Sequence, residues 1–290
     1  MRKLRLISLC TVCLFACTSS DDNEITELFK QKESPVKLYS YSIRDTFFIS
    51  VCLPENMSAE RAKIYPVIFI LDANLYFDVM ASAIKKYSEV GLLPPAILIG
   101  IGYKNFQTMD SLRSRDLTFP KALPEYEMFV SGGADKFLGF INKELIPYID
   151  SNYPVDKSKR VLMGHSLGGY FTLYALHRSL VSDNNSFAAY IAASPSTHYN
   201  HNFILKEFEK INLEHPNKIK TYITFGGLED ESDADSTVIS SQDVLGFFAL
   251  SLKEKNKMVF KGDLYSNLDH MDTGFPTFVK GVQWVFGEEQ

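Results

Sequence analysis

The chain has 290 residues, of which 46% are hydrophobic, and a formal net charge of −5. That length and apolar content suit one large α/β domain with a sizeable core. The acidic balance and the lack of any basic block exclude nucleic acid as a natural partner, and no repeat or low-complexity tract divides the chain. The first 16 residues read as an export signal: Arg2, Lys3 and Arg5 precede an apolar run, Leu6 to Ala16, of 11 residues. A bilayer-spanning helix needs about 20 residues, so this run is a cleaved signal rather than a membrane span. Its end, Leu14-Phe15-Ala16-Cys17, looks like a bacterial lipobox. There Cys17 would be acylated and become the first mature residue, with residues 17–35 as lipidated cysteine and polar tether. The expected location is therefore that of an exported bacterial lipoprotein, held by its lipid in the periplasm or at the cell surface. Cys10 and Cys13 fall inside the signal and Cys52 alone remains in the body, so no disulfide is expected there.

From residue 36 onward the pattern is that of one domain running to residue 290. Val36 to Ile43 and Thr46 to Leu53 flank Arg44-Asp45 and predict an antiparallel hairpin at a sheet edge. Tyr65 to Leu71 (YPVIFIL) is a dense β-branched run, the mark of a central strand, and ends in Asp72-Ala73-Asn74-Leu75. A helix over Phe77 to Tyr87 and a strand over Ala96 to Ile101 follow. Gly102 to Gly133 shows no clear periodicity and is expected as a long functional loop at the carboxyl edge of the sheet. It carries Arg113 and Arg115, which suit an anionic or oxygen-rich ligand or pair with Asp110 and Asp116. Ala134 to Ile149 is amphipathic, with Pro147 expected to bend it or end it early.

The next stretch carries the chemistry. Arg160 to Met163 ends a strand, Gly164-His165-Ser166-Leu167-Gly168 is a G-x-S-x-G pentapeptide, and Tyr170 to Leu180 reads as a helix. Strand, tight turn with Ser, then helix is the context of a nucleophile elbow, which makes Ser166 the candidate nucleophile. Further strands are predicted at Ala188 to Ala193, Lys220 to Phe225 and Lys257 to Tyr265. Helices are predicted at Phe203 to Ile211, Val238 to Lys255 and Thr277 to Phe286, with a polar loop at Glu231 to Ser236. Strands alternating with helices argue for a mostly parallel sheet covered on both faces.

A serine hydroxyl needs a base to take its proton and a carboxylate to orient that base, in the order Ser, acid, His along the chain of this fold. His270 alone lies just past the final strand and before the last helix, where the fold delivers the base. The strand ending at Phe225 is followed by Glu229 and Asp230; Glu229 is the preferred acid and Asp230 the alternative. Asp269 adjoins the base but should point away. The amide of Leu167 supplies one oxyanion donor, and Ala73 or Asn74, after the YPVIFIL strand, the second. His198-x-x-His201 lacks a third ligand, so no metal is expected.

These residues carry a resemblance. The chain is similar to the esterase family of α/β-hydrolases that includes enterochelin (siderophore) esterases, esterase D relatives, feruloyl and acetyl-xylan esterases and mycolyltransferases. Its marks are PVIFILDANLYF, ILIGIGY, RSRDLTFP, the block FINKELIPYIDSNYPVDKSKRVLMGHSLGGYFTLYAL, Ser194-Pro195-Ser196, GGLED and the late His270. RSRDLTFP and ILDANLYF look most like the siderophore-esterase branch. The resemblance implies an α/β-hydrolase fold and an ester hydrolase without a cofactor. It places nucleophile, base and oxyanion amides on Ser166, His270, Ala73 and Leu167, with Arg113 binding acidic catecholates. Arg115, Asn74, His198 and Tyr199 complete the expected substrate contacts, the last two because Thr197-His198-Tyr199 replaces the family's aromatic pair after S-P-S. Some members rely on a Ser–His pair with a poorly placed acid. The expected role is hydrolysis of a siderophore ester; the alternative is an acetylated or feruloylated glycan ester, and the second alternative is binding without catalysis, against which Ser166, His270 and a carboxylate argue.

Overall fold

The computed structural model describes residues 34–55, 63–182, 186–212, 218–232, 239–256 and 258–287. The expected signal, Cys17 and nearly all of the tether lie outside the described residues. In chain order the elements are β1 (Val36–Ser40), β2 (Asp45–Cys52), β3 (Tyr65–Ile70), α1 (Ala73–Glu89), β4 (Ile97–Gly102), α2 (Phe106–Leu117), α3 (Ala134–Phe140), α4 (Ile146–Asn152), β5 (Val155–His165), α5 (Leu167–Ser182), β6 (Ala189–Ala193), α6 (Tyr199–Glu209), β7 (Lys220–Gly226), the short α7 (Glu229–Ser232), α8 (Ser241–Phe248), β8 (Val259–Tyr265) and α9 (Gly274–Phe286).

The described strands form one sheet in the order β1-β2-β4-β3-β5-β6-β7-β8. The β1–β2 and β2–β4 pairs are antiparallel and the others parallel. This is an α/β-hydrolase sheet with the expected N-terminal hairpin at its edge. Side-chain alternation in β3 decides how the layers form. Val67, Phe69 and Leu71 enter one core with Phe137, Phe140, Phe171, Leu176 and Phe208 from α3, α5 and α6. Ile68 and Ile70 enter the other, with Met80 and Ile84 of α1 and Phe278 and Val282 of α9. A strand buried on both faces has no polar side to show, which is why YPVIFIL is apolar at nearly every position. Each of these side chains stabilises the fold by about 1.5–3 kcal/mol through burial, and the two cores clamp the sheet on which the site is built.

Three elements depart from the sequence reading. Gly102 to Gly133 contains a full helix, α2, that apolar periodicity did not announce. α2 buries only Met109, Asp116 and Leu117, so its order comes from polar contacts. Asn105 accepts a hydrogen bond from the Thr108 amide at 2.8 Å as an N-cap, and Arg113 and Arg115 make ion pairs to Asp72, Asp116 and Asp45. Second, the helical run over 134–152 survives Pro147 because the chain widens to a π-turn over Ile141–Leu145, which leaves Pro147 in the first turn of α4. A proline inside a helical run lacks one donor and crowds the carbonyl a turn before it, and the wider turn just ahead of it is where the run absorbs both. Third, α1 begins at Ala73, four residues before the expected start. Asp72 precedes it in the left-handed region, φ 49° and ψ 46°. In α6, Asn200, His201 and Asn202 are also left-handed (φ 48°, 53° and 61°), so the right-handed part starts at Phe203, where the sequence reading begins it.

Candidate active site

β5 brings the chain up the middle of the sheet to His165, and α5 leaves from Leu167. Ser166 stands between them with φ 60°, the strained left-handed turn of an elbow. Its backbone is tied on both sides. The Ser166 amide donates to the Ala193 carbonyl at 3.0 Å, and the Ser166 carbonyl accepts from the Tyr170 amide at 2.8 Å and from the Ser196 amide at 3.2 Å. Gly164 is required by close approach rather than by φ, because a Cβ there would lie 2.4 Å from the Gly168 carbonyl oxygen. Gly169 is required in the same way: its Cβ would lie 2.9 Å from the Ala193 carbonyl oxygen.

The structure brings Ser166, His270 and Glu229 together. His270 Nε2 lies 3.0 Å from Ser166 Oγ, and His270 Nδ1 lies 2.8 Å from Glu229 Oε2. These residues follow β5, β8 and β7, so three parallel strands deliver them to the same carboxyl edge. The other oxygen of Glu229 accepts from Ser194 Oγ at 2.5 Å and from the Gly226 amide. Burial alone would raise the Glu229 carboxyl. The hydrogen bonds from His270, Ser194 and the Gly226 amide outweigh it and hold the carboxyl below its ordinary value. An anion facing Nδ1 requires the proton on Nδ1, which leaves the Nε2 lone pair for the Ser166 hydroxyl.

Asp230 is turned elsewhere. Its carboxylate accepts from the Ser241 amide at 2.9 Å and from Ser241 Oγ at 2.8 Å, tying α7 to the start of α8. Asp269 likewise accepts from the Met271 amide at 2.9 Å and caps the short 3-10 turn that carries His270. The two expected oxyanion amides, Leu167 and Ala73, are the first residues of α5 and α1. First-turn amides have no partner inside their own helix and sit at its positive end. The two helix starts are held side by side, since a Cβ on Gly168 would lie 3.1 Å from Asp72 Oδ2.

A sequence model of the family described as "Putative esterase" matches residues 40–241. The chain belongs to that esterase family. Over 179 residues it is 38% identical to the ferri-bacillibactin esterase BesA of Bacillus subtilis, covering 57% of this chain and 60% of that protein. It is 31% identical over 172 residues to the siderophore triacetylfusarinine C esterase of Aspergillus fumigatus, covering 57% and 56%. The matched stretch thus spans less than two thirds of these curated relatives. Among solved structures, the BES protein from Bacillus cereus superposes with a TM-score of 0.72 at 25% identity, covering 98% of this chain and 99% of that one. The siderophore hydrolase EstA from Aspergillus nidulans shares the fold, with a TM-score of 0.73 at 22% identity, covering 89% of this chain and 95% of that one.

The residues expected to touch substrate are placed differently within this family fold. Arg113 Nε and Nη2 bind the Asp72 carboxylate at 3.1 and 2.7 Å, and Nη2 also reaches the His165 carbonyl at 3.4 Å. Arg115 spends Nε and Nη2 on Asp116 at 2.8 and 2.9 Å and Nη1 on Asp45 at 2.8 Å, which fastens α2 to the hairpin. Asn74 faces the backbone of Tyr103, accepting from its amide at 2.8 Å and donating to its carbonyl at 2.9 Å. Its side chain joins α1 to the end of β4. Tyr199 is 1% exposed and donates to the Pro120 carbonyl at 2.8 Å, so it is part of the core. His198 sits at the surface, where its carbonyl accepts from Tyr126 Oη at 2.9 Å. The sequence reading missed Asp72, Ser194, Thr273 and His165, which support the site from behind. Ser194 follows directly on the buried strand β6 and Asp72 is separated from β3 by one residue, and those strand-end positions are the available signal.

Proposed function

We propose that the chain is a serine carboxylic-ester hydrolase of siderophore-esterase type. The observation that carries the reading is the line Glu229–His270–Ser166, with both contacts at hydrogen-bond distance. His270 Nε2 takes the proton of Ser166 Oγ as that oxygen attacks the ester carbonyl. The carbonyl oxygen becomes an oxyanion and receives the Leu167 and Ala73 amides. The imidazolium, facing the Glu229 carboxylate, then passes its proton to the leaving alkoxide, and an acyl-Ser166 ester remains. Water attacks that ester, gives its proton to His270, and releases the acid with Ser166 restored. These steps need no cofactor.

The substrate class rests on the relatives, whose names are those of siderophore esterases, and on the family membership. A trilactone or related hydroxy-acid ester of a chelator is the expected substrate. The lipobox-like Leu14 to Cys17 supports a lipid anchor on Cys17 and work in the periplasm or at the cell surface. The test is a pair of substrates, a ferric catecholate trilactone and a feruloylated sugar, given to the protein with and without fluorophosphonate. Cleavage of the trilactone with a fluorophosphonate adduct on Ser166 is the expected result. Cleavage of the sugar ester alone moves the assignment to glycan esters. Folded protein with neither turnover nor adduct makes it a binding protein on a hydrolase scaffold.

The two neighbouring carboxylates should separate cleanly. Glu229→Gln is expected to cut turnover by about 10³–10⁴, because it frees the wrong imidazole tautomer. Asp230→Asn is expected to keep turnover and cost about 1 kcal/mol of stability by weakening the start of α8. Steady-state kinetics and thermal melts on both variants check this, and the reverse pattern would assign the acid to Asp230.

A further inference from the structure

His165 is the "x" of the G-x-S-x-G elbow, and it is 3% exposed with both ring nitrogens engaged. Its Nε2 lies 2.7 Å from the main-chain carbonyl of His270, and its Nδ1 lies 2.9 Å from Tyr76 Oη. A carbonyl only accepts, so Nε2 carries the proton and donates to it. The Nδ1 lone pair then accepts from the Tyr76 hydroxyl. Burial drives His165 down to about 4, which keeps the ring neutral at ordinary pH, and the His270 carbonyl sets its tautomer. Tyr76 is itself fixed, edge-on to Phe278 of α9 at 5.1 Å. The chain of contacts therefore runs from α1, whose first amide is an oxyanion donor, through the end of β5 to the turn that carries the base.

Thr273 Oγ1 also lies 3.0 Å from the His270 carbonyl. Thr273 Oγ1 lies 2.6 Å from Ser194 Oγ, the hydroxyl that also donates to Glu229. Ser194 gives its one proton to Glu229, so the single Thr273 proton is drawn to Ser194 at 2.6 Å, and the His165 Nε2–H at 2.7 Å is the donor that fixes the direction of the His270 peptide and, with it, the vector from which the imidazole hangs. His270 otherwise sits on a short 3-10 turn with a half-exposed side chain, and such a turn has little packing to hold it. We propose that His165, held by Tyr76, is a positioning residue that anchors the His270 main chain so that Nε2 stays on Ser166 Oγ and Nδ1 on Glu229. The proposal rests on the ester-hydrolase reading for its kinetic consequence, but its structural content is independent of it. A shift of about 1 Å in a reacting group can cost a hundredfold in rate, so the anchor should appear in kcat rather than in KM.

The experiment compares His165→Leu, which keeps the bulk and removes both hydrogen bonds, with His165→Gln, whose amide can still donate near the Nε2 position. Three quantities are read: kcat and KM, the rate of fluorophosphonate labelling of Ser166, and the downfield NMR resonance of the His270 Nδ1 proton shared with Glu229. His165→Leu is expected to lower kcat and labelling by about tenfold to a hundredfold at little-changed KM, and to shift or broaden the resonance. His165→Gln is expected to restore both within about fivefold. A His165→Leu protein that melts lower but keeps its labelling rate and its resonance overturns the proposal and leaves His165 a core-filling side chain. Should His165→Leu fail to fold, Tyr76→Phe decides, because it removes one hydroxyl only: a loss of about threefold to tenfold in labelling is expected, and no change overturns the proposal. If the unaltered protein takes no label at all, the hydrolase reading fails, and the resonance in the variants still decides the anchoring.

Discussion

Ser166→Ala and His270→Ala are each expected to lower ester turnover by about 10⁴–10⁶, and the double substitution to lower it no further. The two groups act on one proton. Without His270 the Ser166 hydroxyl is a poor nucleophile, and without Ser166 the imidazole has no proton to take and no acyl group to receive. Their losses therefore overlap instead of multiplying. The residual rate should come from the Leu167 and Ala73 amides and from substrate binding, neither of which these substitutions touch. Kinetics on the three variants with one activated ester checks the expectation. Independent, multiplying losses would mean that the 3.0 Å contact between Ser166 and His270 does not work as a unit. Stability should change little in Ser166→Ala, since alanine inherits the left-handed backbone and the same main-chain hydrogen bonds, and the nucleophile's side chain makes few others. A melt near the unaltered value separates lost chemistry from lost fold.

What the sequence could tell about this site followed from physics that is local in the chain. Apolar runs with β-branched residues gave the buried strands, and an α/β-hydrolase sheet delivers whatever follows each strand to one edge. Glu229, Asp230 and His270 were legible for that reason together with the chain order of the triad, and Ser166 through its G-x-S-x-G turn between strand and helix. Glu229 is the preferred acid, but the sequence could not decide it against Asp230, because both follow the same strand. The choice depends on whether Ser194 and the Gly226 amide or Ser241 lies opposite each carboxylate, a tertiary fact. Helix α2 was hidden for a related reason: its order comes from an Asn105 cap and ion pairs, which leave no hydrophobic period to read. From the sequence, Arg113 and Arg115 are candidate ligand contacts because a cation on an apparent loop at the sheet edge has two uses, and only the fold shows which carboxylates come to meet it. Tyr199 misled in the same manner, since an aromatic residue after a strand end fits a pocket and a core equally well.

Arg113→Ala is expected to destabilise the protein by about 3–5 kcal/mol, far more than loss of a substrate contact would. The Asp72 carboxylate has only 3% of its side chain exposed and the Arg113 side chain 19%, so removing the guanidinium leaves a buried charge without its partner. Asp72 is also the left-handed residue at which β3 gives way to α1, and it sits beside Gly168 at the start of α5. The pair thus joins the two helix N-termini whose first amides, Ala73 and Leu167, are the proposed oxyanion donors. A destabilised pair should carry a kinetic penalty as well, seen as lower kcat on neutral and acidic esters alike. Two comparisons separate this from the family-derived expectation that Arg113 binds acidic catecholates. In the first, Asp72→Asn combined with Arg113→Met removes both charges. It should recover much of the stability lost in Arg113→Ala, because a buried pair costs most when half of it remains. In the second, KM is measured for a catecholate ester and for an uncharged ester. A raised KM for the catecholate alone, with the melting temperature unmoved, would return Arg113 to the substrate. Equal kinetic losses with a large fall in melting temperature would establish Arg113 as the tie that holds the oxyanion loop against the elbow. The bidentate geometry, 3.1 and 2.7 Å to the two oxygens of one carboxylate, favours the tie. With Nε and Nη2 committed to Asp72, a ligand's charge would have to meet the guanidinium through Nη1 or break that buried pair.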